Sequence, residues 1–183
     1  IMTNGGGPGV IAADALAAGG GTMAEFSPAT MEKLNALLPA IWSKGNPIDM
    51  VGDTDGARYV KVIKILLEGP GVDAILVMNA AGAPAVDAAG AVVDVIKQAD
   101  RPILTCWLGG DSAGRARKTF SAHNIPTYDT PESAVRAFMH IVRYRRSQEV
   151  LLQTGPEAPT DFEPLVDTAR GVIENVLQDD RDL

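Results

Sequence analysis

The apolar positions of this chain follow two rhythms that alternate from end to end. Residues 72–78 (Val-Asp-Ala-Ile-Leu-Val-Met) are nearly continuously apolar, the pattern of a central parallel strand buried on both faces. Residues 103–108 (Ile-Leu-Thr-Cys-Trp-Leu) repeat it. Shorter strands are read at Ile1-Met2, at 22–26 and at 125–128. Pro126 suits an edge position for the last. Between these runs the apolar residues recur every three or four positions. Met31, Leu34, Leu37 and Leu38 mark one helix, and Tyr59, Val62, Ile63, Leu66 and Leu67 another. Val135, Phe138, Met139 and Val142 mark a long one, running out through the basic residues 143–146. A further helix is expected over 86–99 and an amphipathic segment over 162–177.

Turn formers punctuate the pattern. Ser27 with Pro28 and Thr130 with Pro131 open helices; Asp53 or Thr54, and Asp111 or Ser112, are expected to do the same. Gly19-Gly20-Gly21, Pro39, Gly69-Pro70-Gly71 and Gly109-Gly110 close segments, and residues 44–53 read as loop. Strand then helix, five times over, indicates an α/β fold: a flavodoxin-like open parallel five-stranded sheet, order 2-1-3-4-5, with helices on both faces. The composition changes to a Pro-containing linker near 155–161. The expected division is a domain over 1–153 and a linker with one helix over 154–183. The first strand is expected to begin before Ile1, and the charged end at 179–183 to continue into a longer polypeptide.

The glycine-rich stretch at 3–9, Thr-Asn-Gly-Gly-Gly-Pro-Gly, lies between the first strand and an Ala-rich apolar run. Strand, glycine turn and helix start aim free backbone N–H groups and the positive end of a helix dipole at an anion. The same residues also suit a tight turn with no ligand. The G-x-G-x-x-G pattern of dinucleotide folds and the Gly-Lys-Ser/Thr ending of a P-loop are both absent. In this architecture ligands sit at the carboxyl ends of the strands. The loops 4–9, 79–84 and 109–112 are expected to gather there.

Composition narrows the chemistry. With 183 residues, 46% hydrophobic and 21% charged, the chain is globular with a real core. A net charge of −7 argues against a general nucleic-acid surface. No apolar run reaches the roughly 18 residues of a spanning helix. The one cysteine, Cys106, excludes an internal disulfide, and a cytoplasmic setting is expected. Cys106 falls inside a strand and reads as a buried small hydrophobe. His123 and His140 read as structural or surface residues, and no spacing of His and Cys makes a metal site. No G-x-S-x-G motif supports an esterase. Asp49 and Asp53 suit a carboxylate pair by type, but their loop context reads as turn and cap roles. Thr3-Asn4 and Asn79 stand where a receiver domain needs acids, and only Trp107 is near enough to flank a flavin.

Several separated motifs together resemble one family: residues 3–10 with Asp14, Asn46-Pro47-Ile48-Asp49, Pro84, Trp107-Leu108-Gly109-Gly110, 125–132 and 144–149. They are similar to the second ligase-CoA (flavodoxin-like) domain of NDP-forming acyl-CoA synthetases, over about residues 1–153. The tail from Phe162 resembles the helix leading into the ATP-grasp domain of fused members. The resemblance implies a phosphoryl group passed from an acyl phosphate to a histidine and then to ADP, while CoA takes the acyl group. It implies that Thr3, Asn4, Gly5, Gly6, Gly7 and Gly9, with a helix opening at Gly9, cradle a phosphohistidine borne by a sister domain. It places no catalytic residue and no cofactor in this chain; ATP/ADP, Mg and CoA belong to the whole enzyme. The implied partners are the sister ligase-CoA, CoA-binding and ATP-grasp domains, and homo-oligomerisation is left open. No nucleic-acid or membrane partner is expected, and the fragment alone is expected to be inactive. The alternative is a non-catalytic interaction or regulatory scaffold on the same fold, docking through residues 143–146.

Overall fold

The apolar run at 72–78 becomes β3 (Ile75–Asn79), and that at 103–108 becomes β4 (Ile103–Trp107). They pair in parallel over five residues, Ile75 opposite Ile103 through Asn79 opposite Trp107. The computed structural model describes residues 1–52, 54–80, 85–153 and 165–178. Three short strands complete the sheet: β1 (Met2–Thr3), β2 (Ile48–Asp49) and β5 (Thr127–Tyr128). All pairings are parallel and the order is β2-β1-β3-β4-β5, the expected one, with β5 at an edge.

The second strand is not where the apolar pattern put it. Residues 22–26 are irregular, yet Ala24 and Phe26 pack on one core cluster and Met23 on the other. The segment is apolar because it lies against the core, not because it joins the ladder. β2 instead arises from the stretch read as loop. Ile48 N–H donates to the Ile1 carbonyl (2.9 Å) and Met50 N–H to the Thr3 carbonyl (2.8 Å).

Among the described residues, seven helices connect and follow the strands: α1 (Gly6–Ala18), α2 (Pro28–Leu37), α3 (Gly56–Glu68), α4 (Ala85–Lys97), α5 (Asp111–Ala122), α6 (Pro131–Leu152) and α7 (Val166–Gln178). Buried residues of α2 to α5 build one core cluster with the sheet, around Tyr59, Trp107 and Phe120. Ala12 and Leu16 of α1 and Ala134, Val135 and Met139 of α6 build the other, around Met78 and Cys106. The sheet is thus covered on both faces, as its continuous apolar strands require.

Caps follow local chemistry with small shifts. Ser27 Oγ accepts from Thr30 N–H (3.1 Å), and Thr130 Oγ1 from Ser133 N–H (3.2 Å). α3 is capped by Asp55, whose Oδ1 accepts from Arg58 N–H (2.8 Å), not by Asp53 or Thr54. Thr54 is fully buried and donates to the Val51 carbonyl, while Asp53 lies outside the described residues. α5 begins at Asp111 with Gly110 as its N-cap and no side-chain cap. α1 starts at Gly6, three residues before the expected Gly9. It ends on Gly19 and on Gly20 in the left-handed region (φ +77°), where Gly21 N–H reaches back to the Leu16 carbonyl.

Two compact units divide the chain, Ile1–Arg145 and Arg146–Leu183. The second contains α7, with Leu165, Val166, Val172 and Ile173 exposed. The linker expected at 155–161 and Phe162 lie outside the described residues.

Close helix packing makes one position especially sensitive. A Cβ on the buried Gly56 would lie 2.5 Å from Ala91 Cβ and 3.3 Å from the Asp87 carbonyl oxygen. Neither neighbour can swing aside. Gly56→Ala is therefore expected to lose about 1–3 kcal/mol through overpacking, more than alanine's helix propensity returns. Urea denaturation measures it, and an unchanged midpoint would contradict the packing.

Candidate functional site

Between the end of β1 at Thr3 and the start of α1 at Gly6 there are only two residues, Asn4 and Gly5. Thr3 is fully buried. Its Oγ1 accepts from Gly5 N–H (3.1 Å) and donates to the Gly5 carbonyl (3.1 Å). Asn4 is 8% exposed, and its carboxamide braces three loops. Oδ1 accepts from Ala80 N–H (2.7 Å), while Nδ2 donates to the carbonyls of Gly52 (3.4 Å) and Ala80 (3.5 Å). Both polar side chains of the stretch are thereby committed to the turn and its neighbours.

The glycines divide into two kinds. Gly5 is the N-cap, extended (φ −154°, ψ 130°) and without a side-chain cap. A Cβ there would meet Ala80 Cβ at 3.1 Å. Gly9 is buried; a Cβ would sit 3.2 Å from Pro47 Cβ and 3.3 Å from Thr3 Cγ2. Gly5 and Gly9 are thus places of close approach within the fold. Gly6 and Gly7 face solvent. A helix start carries four N–H groups that the helix does not satisfy. Here Gly5 N–H is taken by Thr3, and Pro8 has none. Gly6 and Gly7 remain, two adjacent donors at the positive end of a thirteen-residue helix.

The neighbouring loop is held in an uncommon shape. After β2, Asp49 Oδ1 accepts from Val51 N–H (2.9 Å). Val51 and Gly52 both take left-handed angles (φ +64° and +52°). A β-branched residue there is strained, and such residues cluster at functional sites. Asp49 Oδ2 would lie 3.1 Å from a Cβ on Gly6, so an acidic group stands beside the helix start. Next to it, Tyr59 Oη donates to the Met78 carbonyl (2.9 Å) and accepts from Asn79 Nδ2 (3.2 Å). Burial pushes the Tyr59 phenol far above its ordinary range, so it stays a neutral donor. Asn79 Oδ1 is buried with no partner among the described residues.

Two of the three loops expected at the carboxyl edge therefore meet, since Asn4 binds Ala80. Residues 81–84 of the second loop lie outside the described residues. The third, 109–112, opens α5 beyond β4, two strands from β1. Sequence reasoning missed Gly52 and Val51 as members of the cluster, and it did not place Asp49 beside the helix start. Asn46-Pro47-Ile48-Asp49 was a signal for this corner, because Pro47 covers Gly9 and Asp49 flanks Gly6.

Asn4 yields a test of the brace. Asn4→Ala orphans the Ala80 N–H and is expected to cost about 1–3 kcal/mol. Thermal unfolding followed by circular dichroism measures this. An unchanged midpoint would show that the carboxamide ties nothing together.

Other candidate chemistry is absent or elsewhere. Burial pushes the Cys106 thiol up to about 12, which keeps it protonated and inert near neutrality. His123 Nδ1 lies 2.8 Å from the Thr119 carbonyl, and His140 is exposed on α6. Among the described residues no cluster of His, Cys, Asp and Glu suits a metal ion, and no helix is long and apolar enough to cross a membrane. An apolar cavity of about 410 Å³ opens at the amino ends of the strands, lined by Leu16, Met23, Ile75, Leu104, Val135 and Phe138 among others. It shares no residue with the glycine turn.

Sheet order, glycine turn and helix start together define a flavodoxin-like α/β domain with an exposed helix start at its carboxyl edge. The ligase-CoA domain family model matches residues 1–152, and the chain belongs to that family. It is 31% identical over 153 residues to acetate–CoA ligase (ADP-forming) II subunit alpha of Pyrococcus furiosus, a match covering 80% of this chain and 34% of that one. It is 33% identical over 150 residues to acetate–CoA ligase (ADP-forming) I of Archaeoglobus fulgidus, covering 80% and 21%. The dinucleotide-forming acetyl-coenzyme A synthetase 1 of Ca. Korarchaeum cryptofilum, solved with phosphate and ADP, superposes with a TM-score of 0.76 at 28% identity, covering 84% and 35%. The chain thus spans about a third or less of the length of these relatives.

Proposed function

We propose that this chain is the phosphohistidine-cradling domain of an ADP-forming acyl-CoA ligase. The observation that carries the reading is the pair of exposed, unspent N–H groups at Gly6 and Gly7. In the whole enzyme, inorganic phosphate displaces CoA from an acyl-CoA, giving an acyl phosphate. An imidazole nitrogen of a histidine on a sister domain then attacks phosphorus. The bond from phosphorus to the acyl oxygen breaks, and the free carboxylate leaves. A β-phosphate oxygen of ADP next takes the phosphoryl group, giving ATP and the free imidazole. Every step is reversible.

Through this sequence the phosphoryl group carries negative charge that must be held without being bonded too tightly. Backbone donors at a helix start do this with fixed dipoles and no reorganisation. Asn4 and Thr3 position the turn, and Gly5 and Gly9 let it pack. Gly6 and Gly7 touch the phosphoryl oxygens. ADP, Mg and CoA are held by other domains, and this domain alone turns over no substrate. The relatives' names support the reaction class, and the Korarchaeum structure was solved with phosphate and ADP.

Titration with inorganic phosphate, followed by ¹⁵N–¹H NMR, tests the site directly. The Gly6 and Gly7 amides are expected to shift, while those of Gly90 and Gly114, within α4 and α5, stay in place. Equal shifts at all four would mean that the helix start has no special affinity.

A further inference from the structure

We infer that Asp49 is an electrostatic counterweight at the helix start: its carboxylate loosens the hold of the Gly6 and Gly7 N–H groups on an anion, so that a phosphoryl group is gripped lightly enough to leave. This rests on the function proposed above and adds the residue that sets the affinity of the same site. Sheet register puts Asp49 there, since it ends β2 directly opposite Thr3, the last residue of β1. The half-buried side chain divides its two oxygens between two tasks. Oδ1 accepts from Val51 N–H (2.9 Å) and holds the left-handed turn at Val51 and Gly52. Among the described residues the carboxylate has no ion pair, and Oδ2 has no hydrogen bond. Oδ2 instead lies 3.1 Å from where a Cβ on Gly6 would stand. The Cα–Cβ bonds of a helix tilt toward its N-terminus. This oxygen therefore sits at the end of α1 that carries the unspent donors of Gly6 and Gly7.

The sign of the effect follows from the charges. A carboxylate beside a helix N-terminus is attracted by the positive end of the dipole. An oxyanion arriving at the same N–H groups gains that attraction too, but it meets the carboxylate as a like charge. The turn itself does not need the charge, because an amide or hydroxyl oxygen also accepts from the Val51 N–H. The charge is what the turn can do without and what the anion must overcome. Two like charges about 5 Å apart at a wet surface change an affinity by about three- to tenfold.

Titration with inorganic phosphate at fixed pH and low salt, read at the Gly6 and Gly7 amides by ¹⁵N–¹H NMR, tests this. Asp49→Asn keeps an oxygen for the Val51 N–H and loses the charge. It is expected to bind phosphate about three- to tenfold more tightly than the parent. Asp94→Asn, on the exposed side of α4, changes the net charge equally and is expected to stay within about twofold of the parent. The gain in Asp49→Asn should fall below about twofold in about 1 M NaCl, where the screening length is about 3 Å. A gain from a reshaped turn would not fade with salt. Asp49→Ser, whose hydroxyl also accepts from a backbone N–H, is expected to show the same gain and decides the matter should the first variant not fold. Weaker binding than the parent's, or a gain that salt leaves intact, overturns the inference. Amides that move with one affinity in the parent and both Asp49 variants sink it alone. Amides that do not move in the parent sink the proposed function and this inference with it.

Discussion

Replacing Trp107 with alanine is expected to cost about 3–5 kcal/mol and lower the melting temperature by on the order of 10 °C. Trp107 ends β4 and is fully buried. Its ring meets Phe120 edge-on at 4.7 Å between centroids and Tyr59 at 5.9 Å. Its Nε1 donates to the Ala85 carbonyl at the start of α4 (3.0 Å), and its own carbonyl accepts from the Arg117 guanidinium. One side chain thus joins α3, α4 and α5 to the sheet. Truncation leaves a cavity and removes the indole hydrogen bond to Ala85 at once. Trp107→Phe keeps much of the ring contact and is expected to lose about 1–3 kcal/mol, most of it the hydrogen bond. Calorimetry of the two variants separates packing from polar satisfaction. A Trp107→Ala melting point equal to the parent's would mean that the aromatic cluster does not hold the helices to the sheet.

Much of this architecture is legible in the sequence because β3 and β4 are long and apolar on both faces. The sheet order followed from their position between helices, and the order held although its second member was misplaced. β2 has two residues, between Pro47 and Met50, too few for any period to show. Residues 22–26 looked more like a strand because they fill the core without pairing. The start of α1 was placed too late for a related reason. Glycines disfavour helix, and nothing local reveals that Gly6 and Gly7 are already helical. The turn itself is legible as glycines before an apolar helix. The division of labour within it was not. Asn4 is committed to Ala80, 76 residues away, and to Gly52, 48 residues away. Such partners are set by the sheet, and no motif encodes them.

The central claim is that backbone donors at Gly6 and Gly7 hold the phosphoryl group in transit. Substitution by proline removes one of them with little disturbance. Gly6 is the first residue of α1, where proline is favoured because its missing N–H has no helical partner. Gly5 before it is extended, as a residue preceding proline should be. Gly6→Ala is the control: it keeps the N–H and adds only a methyl group near Asp49 Oδ2, 3.1 Å away, an atom on a side chain that can give. Both variants are expected to melt within about 1 kcal/mol of the parent, as surface substitutions do.

Their chemistry should diverge. Losing one preorganised donor to a developing anion typically costs about a hundredfold or more in rate, and the remaining Gly7 donor softens that to about ten- to a hundredfold here. The deciding measurement is the rate at which the complete ligase becomes phosphorylated on histidine from a ³²P-labelled acyl phosphate. The account predicts a rate lowered by about that factor in Gly6→Pro and near the parent's in Gly6→Ala. Phosphorylation of Gly6→Pro at the parent's rate would contradict it.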